Sequence, residues 1–210
     1  MSDVPAASYK VLSVMLGYPT EATLPVVRAF LGTDADLGDL RRQYHTVFGG
    51  PLPGTLPPLE AEYDQAHVFS KAQTLADLAG VYRAFGVESV GGLHRLDHIA
   101  VELEFAYVLA AKEERARALG ETEGAETCRE ARRKLLAEHL GAWGVPFLAK
   151  VETSEEAGVY ARIAGAAKDF LMEECRALGA EPPRASVAPN REPRPAGDDA
   201  CPIPAEGAVP

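Results

Sequence analysis

The chain has 210 residues, of which 47% are hydrophobic, and its 21 lysines and arginines against 31 aspartates and glutamates give a formal net charge of −10. This hydrophobic content can support a core, whereas a nucleic-acid-binding protein needs a basic face that the charge balance does not provide. No apolar run approaches the roughly 20 residues that cross a bilayer. The start MSDVPAASYK also lacks the pattern of a secretory leader, so we expect a cytoplasmic protein without membrane contact.

Helical periodicity runs through most of the first 180 residues, and strand-like alternation is absent, which predicts an all-α globular domain of about seven helices. Apolar residues between 75 and 85 recur at intervals of three and four, and Gly86 follows where a helix commonly ends. The sequence TSEE at 153–156 has the form of a capping box, so we expect the last helix to follow it and to end at Gly179. The other predicted helices cover residues 6–16, 21–31, 36–48, 97–119 and 123–140.

The last thirty residues, 181–210, differ in composition from the rest. They hold half of the 16 prolines and few large apolar side chains, so they cannot bury enough surface to offset the entropy of ordering. We therefore predict a helical domain over residues 1–180 and a disordered proline-rich tail over 181–210. The three cysteines lack C-x-x-C spacing, which argues against a disulfide framework and against a zinc site.

Two connections rich in glycine and proline interrupt the helical pattern. The first, GGPLPGTLPPLE, covers residues 49–60, and the second, GVESVGGLHRL, covers residues 86–96. Proline cannot continue a helix, so the first connection must run as an extended or turning segment. Loops held by a rigid helical scaffold often carry function, and these two are the candidate regions.

The second connection leads into a charged cluster at the start of the next predicted helix. His94, His98 and Glu102 are spaced by four residues, so a helix that began early enough could present them to a metal, although the Glu-x-x-His pairs of di-metal bundles are absent. Asp97 is expected to cap this helix. An acid–base role for His98 would need only common residue types, and neither a nucleophile motif nor a phosphate loop accompanies it. We expect no catalysis and no resident cofactor or metal.

Three sequence blocks stand in an order and spacing that match a known pattern. Residues 44–51 read YHTVFGGP, residues 58–63 read PLEAEY and residues 97–105 read DHIAVELEF. They resemble the Y-x-x-x-F-x-G-P, P-Y-E-S-V-Y and D-H-x-x-x-E-L-x-F segments of the TorD/DmsD/NarJ family. These are the assembly chaperones of bacterial molybdenum enzymes, also called redox enzyme maturation proteins. Leu59 replaces the aromatic residue of the second block, and Glu62 replaces a small apolar residue.

The resemblance implies an all-helical TorD/DmsD-like fold and a chaperone that is not an enzyme. Such a protein would bind the twin-arginine leader or N-terminal segment of the catalytic subunit of a molybdenum oxidoreductase of the dimethyl-sulfoxide-reductase type. It would hold the subunit until bis-molybdopterin guanine dinucleotide is inserted, and so delay export. The expected peptide-binding residues are Glu60, Asp97 and Glu102 for the basic part, Tyr63 and Phe105 for the apolar part, and His98 for a polar contact.

Two other functions remain open at this point. Within the same family, the client could be a leaderless nitrate-reductase-like subunit, bound in the manner of NarJ. From a different class, the chain could be a helical metal-dependent enzyme that uses His94, His98 and Glu102. Family members include monomers and domain-swapped dimers, and the glycines between Gly86 and Gly92 could form a hinge for exchange, so either state is compatible with the sequence.

Overall fold

The computed structural model describes residues 6–49, 56–63, 68–87 and 95–182, and over these ranges the backbone forms eight α-helices and a single isolated β-bridge. This confirms the predicted all-α fold. Apart from Glu181 and Pro182, the predicted tail lies outside the described residues. The helices are α1 (Ala6–Leu16), α2 (Leu24–Leu31), α3 (Leu37–Phe48), α4 (Val68–Ala84), α5 (Ile99–Ala118), α6 (Thr122–Leu135), α7 (Val145–Glu152) and α8 (Val159–Leu178). A 3₁₀ turn covers Glu60–Glu62, and a π-helical segment covers Leu136–Gly144.

Several helix boundaries follow from local signals in the sequence. The side chain of Asp36 accepts a hydrogen bond from the backbone N–H of Asp39 at 3.0 Å, which satisfies one of the unpaired donors at the start of α3. Gly179 adopts a left-handed conformation at φ 64°, as expected for the residue that ends α8. The helix predicted over residues 6–16 has those bounds in the structure.

The capping box predicted from Thr153 is wrong. The hydroxyl of Thr153 donates to the carbonyl of Ala149 at 3.0 Å and so belongs to the end of α7. Helix α8 begins only at Val159, whose N–H donates to the side chain of Gln43 at 2.9 Å. The preceding Gly158 has φ 53° and ψ −126°, a backbone conformation that residues other than glycine rarely adopt.

The helix predicted over 123–140 is also incomplete, because α6, the π-helical segment and α7 run without a break from residue 122 to residue 152. Gly141 lies inside the π-helical segment, and a Cβ at this position would be 2.1 Å from the carbonyl oxygen of Leu136. Pro146 follows and has no N–H to donate to a regular helical ladder. A close approach at a glycine, followed by a proline, favours a locally widened helix.

A buried ionic network joins four of the helices. Arg132 of α6 donates to Glu113 of α5 at 2.8 Å and to Glu174 of α8 at 3.1 Å, and Tyr9 of α1 donates to Glu174 at 2.5 Å. All four side chains are almost fully buried. Burial and the charge of Glu174 raise the pKa of Tyr9 well above its ordinary value, so the phenol stays a donor. Removing Arg132 would leave the two buried carboxylates without their shared cation, so this network ties the four helices together.

Aromatic side chains from several elements pack together in another part of the core. Tyr44 and Phe48 of α3 meet Tyr160 of α8 with ring centroids 5.8 and 5.1 Å apart, respectively. The ring centroid of Phe147 in α7 lies 6.2 Å from that of Phe48 and 5.3 Å from that of Trp143 in the π-helical segment. Burying each such ring contributes about 1.5–3 kcal/mol. This cluster holds the π-helical segment against the remainder of the fold.

Candidate functional site

The two irregular connections meet side by side, and their contact creates the candidate site. Leu59 and His98 form an isolated antiparallel bridge. The N–H of Glu60 donates to the carbonyl of Asp97 at 2.9 Å, and the N–H of Ile99 donates to the carbonyl of Pro58 at 3.0 Å. The short segment before the 3₁₀ turn is therefore paired with the start of α5. We call the region where they meet the junction.

The predicted role of Asp97 as a helix cap is wrong, because His98 occupies that position. His98 has extended backbone angles, and its Nδ1 accepts a hydrogen bond from the N–H of Ala100 at 3.1 Å. A ring that accepts at Nδ1 carries its proton on Nε2, which lies 3.1 Å from the hydroxyl of Tyr44. His98 thus links the start of α5 to α3 and is itself buried.

The side chain of Asp97 instead joins the two segments of the junction. Its side chain is fully buried and accepts a hydrogen bond from the N–H of Ala61 at 3.2 Å. The guanidinium of Arg95 donates to both of its oxygens, from Nε at 3.0 Å and from Nη2 at 2.9 Å. Such two-point pairing is the strong form of a charged hydrogen bond. The side chain of Asp97 therefore pairs with the neighbouring segment at Ala61 and with the nearby Arg95, and it does not cap α5.

Glu102 lies beneath the junction with no exposed surface. The indole Nε1 of Trp143 donates to its two oxygens at 3.0 and 3.2 Å. Burial, and then the nearby charge of Glu60, raise the pKa of Glu102 well above its ordinary value despite the hydrogen bond from Trp143. The folded protein therefore favours the protonated carboxyl at this position.

His139 belongs to the site although the sequence analysis did not select it. Its Nδ1 lies 3.0 and 3.1 Å from the two carboxylate oxygens of Glu60. Burial lowers the pKa of His139, but the hydrogen bond and the charge of Glu60 outweigh this effect, and the pKa is raised overall. His139 and Trp143 are four residues apart in the π-helical segment. This spacing is the signal in the sequence that could have indicated that one segment supplies a partner to Glu60 and another to Glu102.

The two predicted aromatic residues lie in the core next to these carboxylates. Tyr63 stacks on Trp143 with ring centroids 5.8 Å apart and planes inclined by 22°. The rings of Phe105 and Tyr82 have centroids 4.4 Å apart. The Tyr82 hydroxyl donates a hydrogen bond to the carbonyl of Leu96 at 3.0 Å. The structure thus brings all six predicted residues together, and each of them is at most 9% exposed. Charged groups with more exposure surround them: Arg95, Glu62 and Lys71.

Two of the three residues of the metal alternative lie within the described ranges. His94 lies outside the described residues. The other two predicted ligands, His98 and Glu102, use their side-chain atoms for the contacts with Ala100 and Trp143. Within the described ranges, no group of three histidine, cysteine, aspartate or glutamate side chains could hold a metal ion. In the same ranges, no helix has the length and apolar character needed to cross a membrane.

Comparison with known proteins places the chain in a family. The profile of the family described as nitrate reductase delta subunit matches residues 16–149, which is more than half of the chain. The chain belongs to this family. Its members are NarJ/TorD-type chaperones and not enzymes, which confirms the family expected from the three sequence blocks. The chain is therefore a molybdoenzyme maturation chaperone, and the alternative of a metal-dependent enzyme is set aside.

A solved structure shares the fold of this chaperone. It is a crystal structure of a protein from Archaeoglobus fulgidus that has been assigned as a redox enzyme maturation protein. The two proteins are 24% identical and superpose with a TM-score of 0.55, over 82% of this chain and 96% of the other. At this identity the likeness supports the fold alone. No curated protein matches the sequence.

Proposed function

We propose that this chaperone binds the N-terminal segment of the catalytic subunit of a molybdenum oxidoreductase of the dimethyl-sulfoxide-reductase type. In the cytoplasm it would hold the subunit until bis-molybdopterin guanine dinucleotide is inserted, and it would delay export where the segment is a twin-arginine leader. Such a segment is basic at one end, apolar along its length and disordered when free. A binding site for it needs carboxylates next to apolar side chains.

The charge balance at the junction carries the proposal. Four carboxyl groups, those of Glu60, Glu62, Asp97 and Glu102, meet there. The basic groups beside them are Arg95, Lys71 and His139. The raised pKa of Glu102 favours its neutral form, so with His139 also neutral the three carboxylates of Glu60, Glu62 and Asp97 face two cations. A basic peptide would reduce this excess of acidic groups, and salt would weaken the attraction.

Arg95 supports the proposal in a second way, because it shows that the junction can hold a guanidinium group. The side chain of Arg95 is 47% exposed, and it contacts Glu62 at 3.9 Å in addition to Asp97. An arginine of the client could take its place on Asp97 without leaving that buried carboxylate unpaired. The exchange would be specific for arginine, because lysine cannot donate two parallel hydrogen bonds to one carboxylate.

The six predicted residues have distinct parts in this proposal. Asp97 would receive the client arginine, with the carboxylate of Glu60 nearby and the buried carboxyl of Glu102 below it. Tyr63 and Phe105 would support the apolar wall, and His98 would fix the start of α5 through its two hydrogen bonds. Because all six are buried, the client would reach them mainly where Arg95 now lies.

A nitrate-reductase-like client without a leader is the second candidate. The description of the family, nitrate reductase delta subunit, favours this client. In that case the chaperone would bind a basic N-terminal segment that is not exported. The two candidates differ in whether a twin-arginine pair is needed for binding.

Co-purification from the native host tests the proposal. The tagged full chain is expected to recover a molybdenum-enzyme catalytic subunit, and a client that lacks its N-terminal segment should be recovered much less. Replacing a client arginine pair by lysines separates the two candidates, since only leader recognition should be weakened by that change. The proposal fails if no molybdenum-enzyme subunit is recovered, or if the shortened client binds as well as the complete one.

A further inference from the structure

Glu62 is the most exposed of the four carboxyl groups at the junction. Its side chain is 27% exposed, against 11% for Glu60 and 0% for Asp97, and Glu102 has no exposed surface. It lies in the 3₁₀ turn directly after Ala61, whose N–H donates to Asp97 at 3.2 Å. Glu62 is therefore the junction carboxylate that another molecule can reach most easily.

Two cations of the chain lie on Glu62, one beside each oxygen. The ammonium of Lys71 in α4 donates to Oε2 at 3.1 Å. The guanidinium of Arg95, which precedes α5, has its Nη1 3.9 Å from Oε1. Glu62 thus accepts positive charge from two directions.

The contact with Arg95 relates Glu62 to Asp97. The same guanidinium pairs with Asp97 from Nη2 at 2.9 Å, so one side chain spans both carboxylates. In an extended peptide, side chains two positions apart lie on the same side and are about 7 Å apart. If a client arginine replaced Arg95 on Asp97, a second basic side chain of the same segment could reach Oε1 of Glu62.

The two carboxylates differ in the cation that suits them. Asp97 receives hydrogen bonds from both Nε and Nη2 of Arg95, a two-point pairing that an arginine can reproduce and a lysine cannot. Glu62 takes an ammonium on a single oxygen. A lysine therefore suits Glu62 as well as an arginine does.

Lys71 limits the attraction of Glu62 for a further cation. Its side chain is 38% exposed, and an ion pair with this much exposure to solvent is weak and readily exchanged. While it is in place, its charge offsets that of Glu62 and repels an incoming basic side chain. A client cation at Glu62 must therefore compete with Lys71.

From these contacts we infer that Glu62 selects client segments in which a second basic residue lies within two positions of the arginine bound by Asp97, an inference that rests on the proposed function. Lys71 is the internal competitor for this contact. Glu62 stands where the second family block has a small apolar residue, so this selectivity would belong to the client of this particular chaperone.

Binding of blocked tripeptides to the full-length Arg95→Gln variant tests this inference, because the variant vacates the guanidinium position. The probes are acetyl-arginyl-alanyl-lysine amide and acetyl-arginyl-alanyl-glutamine amide. Their dissociation constants follow from the stabilisation against urea as peptide is added. At low salt the lysine peptide is expected to bind about two- to fivefold more tightly, and added salt should reduce this advantage.

Variants of the ion pair assign the advantage to Glu62. Adding Glu62→Gln should abolish the advantage of the lysine peptide, whereas Lys71→Met should increase it. The controls are Glu152→Gln and Lys168→Met, which break a similar half-exposed pair between α7 and α8 and should leave the advantage unchanged. The readout is a ratio of two affinities, so a purely structural role of Glu62 would not change it.

The wild-type protein provides a second measurement that does not depend on the folding of Arg95→Gln. It should rank the two peptides in the same order with lower affinity for both, because Arg95 competes with each of them. Equal affinity for the two peptides in both proteins would overturn the assignment of Glu62. An advantage of the lysine peptide that persists in Glu62→Gln would overturn it as well.

Recovery of the client separates this inference from the proposed function. The Glu62→Gln variant should recover less of the molybdenum-enzyme subunit from the native host than the wild-type chain does. If the two recover it equally, the assignment of Glu62 fails while the proposed function stands. If neither recovers it and the advantage of the lysine peptide still depends on Glu62, the proposed function fails while the preference for a basic pair stands.

Discussion

Replacing Arg95 by glutamine tests whether the junction holds a guanidinium that a client can replace. The change removes the hydrogen bonds from Arg95 to the two oxygens of Asp97, at 3.0 and 2.9 Å. The fully buried carboxylate then keeps the hydrogen bond from the N–H of Ala61. A charged hydrogen bond contributes about 1.5–3 kcal/mol, but Arg95 is nearly half exposed, so solvent screens part of this. We expect Arg95→Gln to lower the free energy of unfolding by about 1–2 kcal/mol.

The assay is urea unfolding with and without added N-acetylarginine amide. The compound should stabilise the Arg95→Gln variant by about 1.4 kcal/mol at about ten times its dissociation constant. It should stabilise the wild-type protein much less, because Arg95 already occupies the position. Arg176→Gln is the control, since Arg176 pairs with Glu173 in an exposed ion pair worth at most about 0.5 kcal/mol.

Two results would refute the reasoning. If Arg95→Gln is as stable as wild type, the pair with Asp97 does not hold the junction together. If N-acetylarginine amide stabilises wild type, Arg95→Gln and Arg176→Gln equally, it acts elsewhere on the protein and the junction does not select for a guanidinium.

Three further substitutions test two buried side chains and one glycine with a positive φ. Since Glu60 raises the pKa of His139 in the folded protein, the added stability is present below about pH 6.5 and is lost as the pH rises through the folded pKa. In urea unfolding, the wild-type protein should have a higher free energy of unfolding than His139→Gln, and this difference should decrease as the pH rises above about 6.5. A difference that does not change with pH would contradict the assigned role of His139. The raised pKa of Glu102 gives stability that is likewise lost as the pH rises above the ordinary carboxyl value, so Glu102→Gln should unfold with less pH dependence and be at least as stable as wild type at about pH 8. Gly158→Ala should cost about 1–3 kcal/mol by thermal unfolding, because φ is 53° and the new Cβ would lie 2.1 Å from Gln43 Oε1; unchanged stability would show that the loop relaxes.

The order and approximate bounds of most helices could be predicted because their signals are local. Apolar residues at intervals of three and four mark the buried face, and Gly86 and Gly179 are placed where left-handed residues end helices. The family was predicted from three short blocks whose order and spacing are properties of the sequence. The profile match over residues 16–149 confirms it.

The details that were wrong depend on partners distant in the sequence. Asp97 has the residue type and position of a helix cap, but Ala61 and Arg95 offer it better donors. His139 bonds to Glu60 across a separation of 79 residues, and periodicity within one helix carries no information about that contact. Which of two acceptable partners a side chain takes is decided by tertiary packing, so the capping residue and the partners of the carboxylates could be found only in the structure.

The π-helical segment from Leu136 to Gly144 sets the rotational phase between α6 and α7. Each residue of an α-helix turns by about 100° and each residue of the wider π-helix by somewhat less, so removing one residue from this segment would rotate everything beyond it by roughly 80–100°. The apolar face of α6 would still meet its neighbours, but Trp143 would no longer point at Glu102 and Phe147 would leave the aromatic core. The length of this segment is therefore a constraint as strict as the identity of its residues, and an insertion or deletion here should be far more damaging than one in the turn between α7 and α8.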